Sequence, residues 1–145
     1  MREINSKETG KLFECLEALA EHHNKVSVNY KGCYPQTPSE EKIRQFESEL
    51  EEGTSRIAVV ENGSEVIGFC KISTNAATGV LEYLAVLDRE RGKGYGAELM
   101  NWALNTFREL GMMNIDVKVV YGNEAIRFYR KYGFRERSVI MTLKG

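Results

Sequence analysis

The stretch from Glu82 to Met100, EYLAVLDRERGKGYGAELM, restricts the fold more than any other part of the chain. An apolar run leads into a burst of charge. Gly92, Gly94 and Gly96 then alternate where a long amphipathic segment begins. Glycine costs a helix about 1 kcal/mol relative to alanine, so its use at a helix start answers a need for bare backbone. A helix N-terminus presents unpaired N–H groups and the positive end of the macrodipole. Together they attract anions, and phosphate is the usual guest. Arg91 and Lys93 add positive charge at the same mouth. The pattern predicts a strand, a loop and a helix that cradle a diphosphate. The bland alternative is a flexible turn before a frayed helix.

Two phosphate motifs fit poorly. A P-loop needs Ser or Thr after its lysine, and Lys93 is followed by Gly94. The dinucleotide pattern GxGxxA is formally met by Gly92, Gly94 and Ala97, with Asp116 further on. That motif opens the first unit of a wound parallel sheet. Here it follows what reads as a meander, with too little chain left for two halves. Asp116 also falls early in its strand, where a ribose-binding acid does not belong.

The flanks set the element order. TGKLFECLEALAEHH places Leu12, Leu16, Leu19 and Ala20 on one helical face. Pro35 and Pro38 mark a loop, after which Ser39 is read as a cap and Ile43, Phe46 and Leu50 as a second apolar stripe ending at Gly53. SRIAVVENGSEVIGFCKIST is read as a hairpin through Asn62-Gly63, and Val80–Leu87 as a third strand. A helix follows from Gly96 to Leu110, then a strand in MNIDVKVV, then a short helix capped by Asn123 and stopped by Gly133. SVIMTLK reads as a last strand, and Met1–Ile4 as a weak first one. The fold class is therefore α/β or α+β, one domain over residues 1–145, with a mixed, mostly antiparallel sheet flanked by about four helices.

With the glycine loop and the later NEAIRFYRKYGF in place, the chain resembles the GCN5-related N-acetyltransferase (GNAT) superfamily. Its phosphate loop, (Gln/Arg)-x-x-Gly-x-(Gly/Ala), is matched by Arg91, Gly94 and Gly96. EYLAV looks like the strand that lines the family's pantetheine channel, and Asn123–Phe134 resembles its second signature. The resemblance implies acetyl-CoA as cosubstrate and direct transfer of the acetyl group to an acceptor, usually an amine. It implies that the backbone of Leu84, Ala85 and Val86 pairs with the pantetheine arm. It implies that Arg91, Gly92, Lys93, Gly94, Tyr95, Gly96 and Ala97 hold the pyrophosphate. Asn123 would then hydrogen-bond the arm, and Phe128 would pack beside it. Dimers are common in the family, so a homodimer is allowed. A module that binds acyl-CoA without catalysis is the alternative on the same fold.

An amine must lose a proton before it attacks, at a cost of roughly 4–5 kcal/mol at pH 7 for an amine pKa near ~10.4. Glu82 is the candidate base. It stands mid-strand, where acids are depleted, and strict alternation puts it on the face of Leu84 and Val86. Equally, it could pair with a cation across the sheet. Tyr129 matches the family's general-acid position, although an aromatic on that helix stripe is also ordinary core. A backbone N–H at or near Leu84 would stabilise the developing oxyanion. Tyr30 and Tyr34, in the loop between the first two helices, are expected at the acceptor site. Glutamates crowd the second helix either as an acidic rim or as a solvated face.

Composition narrows partners and location. Twenty Lys and Arg against 21 Asp and Glu leave a net charge of -1, with no global field for nucleic acid or acidic membrane. Three spaced cysteines, Cys15, Cys33 and Cys70, suggest free thiols in a reducing cytoplasm, with no disulfide framework and no metal site. The N-terminal residues lack a signal-peptide pattern, and no stretch is apolar enough to span a bilayer.

Overall fold

A computed structural model describes residues 1–144. Gly145, the end of the domain expected from the sequence, lies outside the described residues. The elements are β1 (Arg2–Glu3), α1 (Phe13–Val26), α2 (Ser39–Glu52), β2 (Ser55–Asn62), β3 (Glu65–Asn75), β4 (Thr78–Val86), α3 (Tyr95–Glu109), β5 (Asn114–Val117) and α4 (Ala125–Lys131). A 3-10 helix over Ser6–Leu12 precedes α1, and another covers Asp88–Glu90. The five strands form one sheet in chain order. All pairs are antiparallel except β4 with β5. This is the mixed α/β sheet with four α-helices that the sequence pattern predicts.

Strands β2 and β3 are buried along most of their length rather than on alternate residues. Helices cover both faces of the sheet, so both faces must be apolar. On one face, Phe46 of α2 meets Tyr83, which stacks with Phe69. On the other, the Phe107 ring of α3 lies so close to Gly79 that a Cβ there would come within 2.6 Å of it. Gly79 is thus fixed by the close approach of α3.

Helix ends follow local chemistry. Gly53 closes α2 at φ 77, donating to the carbonyl of Leu50. Ser39 is not the cap of α2. Pro38 holds that position, and Ser39 is the first helical residue, its buried hydroxyl without a partner among the described residues. Proline fixes the extended entry that a cap needs, and it displaces serine by one position. The β2–β3 turn is also shifted by one, since Asn62 pairs with Glu65 and leaves Gly63 and Ser64 as the loop.

The C-terminal segment differs from expectation. Residues 135–144 form no strand, and Val139, Ile140, Met141 and Leu143 are exposed. β5 is only Asn114–Val117, too short an edge to template a further strand. The segment is tied instead by Arg137 to Asp116 at 3.4 Å and by the Tyr30 hydroxyl donating to the Thr142 carbonyl at 2.7 Å.

The loop between α1 and α2 is held from α1. The Asn24 side chain donates to the Tyr34 carbonyl and accepts from the Tyr34 N–H, both at 2.8 Å. His23 meets the Tyr34 ring edge-on at 5.2 Å. Burial, reinforced by His22 and Lys42, pushes the His23 imidazole down from 6.5 to about 4. The unfolded chain therefore takes up a proton that the folded chain refuses. Stability should be fully present above pH 6.5 and fall as pH drops from 6.5 towards 4. Urea melts across that range should show the loss, and His23→Gln should flatten it.

Candidate functional site

β4 keeps β3 beside it as far as Gly68↔Val86. Its pairing with β5 runs only from Thr78↔Asn114 to Leu81↔Val117. From Glu82 to Val86, including Leu84 and Ala85, one edge of β4 therefore has no strand beside it among the described residues. Such an edge offers main-chain donors and acceptors to an extended partner.

The chain leaves β4 through Leu87, whose N–H donates to Ile67, and enters the glycine loop. Gly92 and Gly94 have φ of 81 and 88, so both need glycine for backbone reasons. Gly96 does not. A Cβ there would lie 3.8 Å from the Phe128 ring, an ordinary contact. Its bareness keeps the helix start open. Gly94 is the N-cap of α3, with no side chain capping it. The first helical bond runs from the Glu98 N–H to the Gly94 carbonyl. The N–H groups of Tyr95, Gly96 and Ala97 come before it and have no carbonyl within the helix. Arg91 is paired with Asp88 at 3.3 Å, and Lys93 with Glu90 at 2.8 Å. The Arg91–Asp88 pair is exposed on both sides, and pairs of that kind are worth about 0–1 kcal/mol and yield readily to a stronger anion, whereas the Glu90 side chain is only 12% exposed.

Glu82 occupies a β-bulge. Lys71 lies opposite Tyr83 and Ile72 opposite Leu81, which leaves Glu82 as the extra residue of β4. The bulge resets the alternation, so Glu82 does not share the face of Leu84 and Val86. It turns to the α2 side, where Lys71 Nζ donates to its Oε2 and the Ser73 hydroxyl donates to Oε1 at 3.1 Å. Lys71 also meets Glu49 of α2 at 2.6 Å, and Glu49 accepts from the Ser55 hydroxyl at 2.9 Å. The Lys71 ammonium stands 4.8 Å from the Phe46 ring centre. Its side chain is only 1% exposed, and burial pushes its pKa down against the Glu49 hydrogen bond. The cross-sheet cation is therefore present, and one glutamate of α2 faces inward. Lys71 was missed from the sequence, where its one signal is that it is a lone cation inside the apolar run VIGFCKI. Its two carboxylate partners were not legible.

Tyr129 lies on the other side of the sheet. It is 8% exposed and packs edge-on against Phe128 and Phe134. Its hydroxyl makes no hydrogen bond among the described residues. Burial pushes the phenol up to about 12, with Cys70 adding to the effect. Cys70 stands opposite Leu84 in the sheet, so Tyr129 approaches β4 from the Leu84 face. Phe128 stands beside Gly96, at the foot of α3. Asn123 Oδ1 accepts from the Ala125 N–H at 3.0 Å. The N-cap of α4 is Glu124, however, so Asn123 stands one residue ahead of the cap position expected for it. Its Oδ1 also lies 3.3 Å from His22 Nε2, a contact across 101 residues that nothing in the sequence signals.

Tyr30 and Tyr34 sit together in the α1–α2 loop. The Tyr30 hydroxyl is taken by Thr142, and Lys144 lies 5.5 Å from its ring centre. Neither ring pairs with Glu82 or Tyr129 among the described residues.

Removing the Lys71 ammonium would leave two carboxylates facing each other. Their side chains keep 24% and 30% exposure, so the cost falls below the 3–5 kcal/mol of a fully buried broken pair. Lys71→Met is expected to lower unfolding free energy by ~2 kcal/mol. The same change combined with Glu49→Gln should recover part of that loss in denaturant melts.

A family model described as the acetyltransferase (GNAT) family matches residues 16–134. The SPbeta prophage-derived uncharacterized N-acetyltransferase YokL of Bacillus subtilis (strain 168) is 30% identical over 104 residues, 66% of this chain and 59% of that one. The chain thus spans about three fifths of the length of this curated relative. The PaiA N-acetyltransferase from Thermoplasma acidophilum, solved in complex with coenzyme A, superposes with a TM-score of 0.80 at 17% identity, over 96% of this chain and 91% of that one. A predicted acetyltransferase from Clostridium acetobutylicum, solved with acetyl-CoA, gives 0.74 at 17% identity, over 99% and 94%. On the family match and the shared fold, the chain belongs to the acetyltransferase (GNAT) family.

Proposed function

We propose that the chain transfers the acetyl group of acetyl-CoA directly to a primary amine. Acetyl-CoA is the family's cosubstrate. The observation that carries the reading is the unpaired β4 edge running straight into the left-handed glycines at the start of α3. An extended arm ending in a pyrophosphate matches that combination of a sheet edge and a helix N-terminus. The N–H groups from Gly92 to Ala97 would hold the pyrophosphate. Leu84 and Val86 would pair with the arm, and Phe128 would flank it.

Glu82 and Tyr129 approach the open edge from opposite faces, which suits opposite proton tasks. Glu82, oriented by Lys71 and Ser73, would accept the proton of the amine. The amine nitrogen then bonds to the acetyl carbon as the carbon–sulfur bond breaks. Tyr129, still protonated with its phenol near 12, would supply a proton to the departing sulfur. The amine is expected on the α1–α2 side, where Tyr30 and Tyr34 lie.

Thiol release from acetyl-CoA, followed across amines, peptides and aminoglycosides, tests the reading. Tyr129→Phe should keep acetyl-CoA binding and lower kcat by ~100-fold, the lower end of general acid catalysis. Gly94→Ala should weaken acetyl-CoA binding by ~10-fold, since a Cβ at that φ costs roughly 1–2 kcal/mol. Tight binding with no acceptor-dependent release would favour a non-catalytic acyl-CoA module.

A further inference from the structure

We propose that His22 is a positioning residue for the acetyl-CoA arm: it fixes the Asn123 side-chain amide so that its NH2 group faces outward to donate to an arm carbonyl. This rests on the reading that Asn123 meets the arm.

Three contacts dock the β5–α4 loop onto the C-terminal half of α1 and the two residues that follow it. Gly122, at φ 99, lies so close to Val26 that a Cβ would come within 2.2 Å of its carbonyl oxygen. The Val28 N–H donates to the Tyr121 carbonyl at 3.4 Å. His22 Nε2 reaches Asn123 Oδ1 at 3.3 Å. The first two hold only main chain. The third alone sets a side chain.

The orientation of that amide follows from its partners. The Ala125 N–H can only donate, so the Asn123 atom 3.0 Å from it is the oxygen. His22 approaches the same oxygen, so its Nε2 must carry hydrogen. Two donors therefore saturate Oδ1. The NH2 group is left with no partner among the described residues, on a half-buried residue at the start of α4. A half-buried amide with its oxygen doubly held and its donors free is set to recognise a carbonyl. The pantetheine arm carries two amide carbonyls. α1, which also holds the acceptor-side loop through Asn24, thus fixes the cofactor contact as well.

The test measures Kd for acetyl-CoA and for 3′-phospho-ADP, the nucleotide half of coenzyme A without its arm. His22→Ala should weaken acetyl-CoA by about tenfold, the scale of one hydrogen bond. 3′-phospho-ADP should be unaffected. His22→Gln, whose amide NH2 can take the place of Nε2–H, should restore acetyl-CoA affinity. In an Asn123→Ala background, His22→Ala should add nothing. Equal weakening of both ligands by His22→Ala would reduce His22 to a fold-stabilising residue and overturn the proposal. So would an unchanged acetyl-CoA affinity in His22→Ala alongside a loss in Asn123→Ala. An unchanged affinity in Asn123→Ala would remove the arm contact itself, and the role of His22 with it.

Discussion

β4 is paired on one side to its end and on the other only to Leu81. The rest of the site depends on that asymmetry. A bulge at Glu82 falls where the parallel pairing stops, and a bulge bends its strand and increases the local twist. β5 is four residues long and does not follow. The result is a stretch of central strand, rigid through β3, whose outer edge is open. Its C-terminal end then delivers the chain to the start of α3, so the sheet edge leads through a short loop into a helix N-terminus.

The same bulge distributes the chemistry. With regular alternation, Glu82 would face the side of Leu84, where Tyr129 lies. The extra residue sends it to the α2 side. There a buried ammonium is held between two carboxylates and an aromatic ring. Burying a cation is costly, and Lys71 is tolerable because Glu49 and Glu82 face it while keeping access to solvent. Tyr129 meets a different environment, apolar and without a hydrogen-bond partner among the described residues, and burial keeps its proton on. Two titratable side chains are thus given opposite characters on opposite faces of one strand.

Helix α1 ties the periphery to this centre. Its C-terminal half anchors the loop bearing Tyr30 and Tyr34 and receives the β5–α4 loop through Gly122 and His22. The α2–β3–β4 charge cluster and the α1–α4 contact are long-range in sequence. Both join parts of the site that local structure alone would leave independent.

Much of the fold was legible because it rests on local rules. Turn residues, stop glycines and apolar periodicity named the helices and the meander. The glycine loop marked the helix start, since the left-handed backbone at Gly92 and Gly94 admits little else. The last strand was misread because strand propensity needs an edge to pair with, and β5 ends too soon to provide one. The face of Glu82 was misread because a bulge is a property of two strands in register, and one strand's sequence does not contain it. Lys71 passed unnoticed although it is a cation in an apolar run, and its partners lie on other elements. His22 gave no signal, because a hydrogen bond across the fold leaves no local pattern. The sequence by itself determined the element order as far as α4 and the glycine turn that opens α3, which depend on neighbouring residues. Only the tertiary structure decided which way each candidate side chain points and what holds it there, since register, close approach and pairing exist only once distant segments meet.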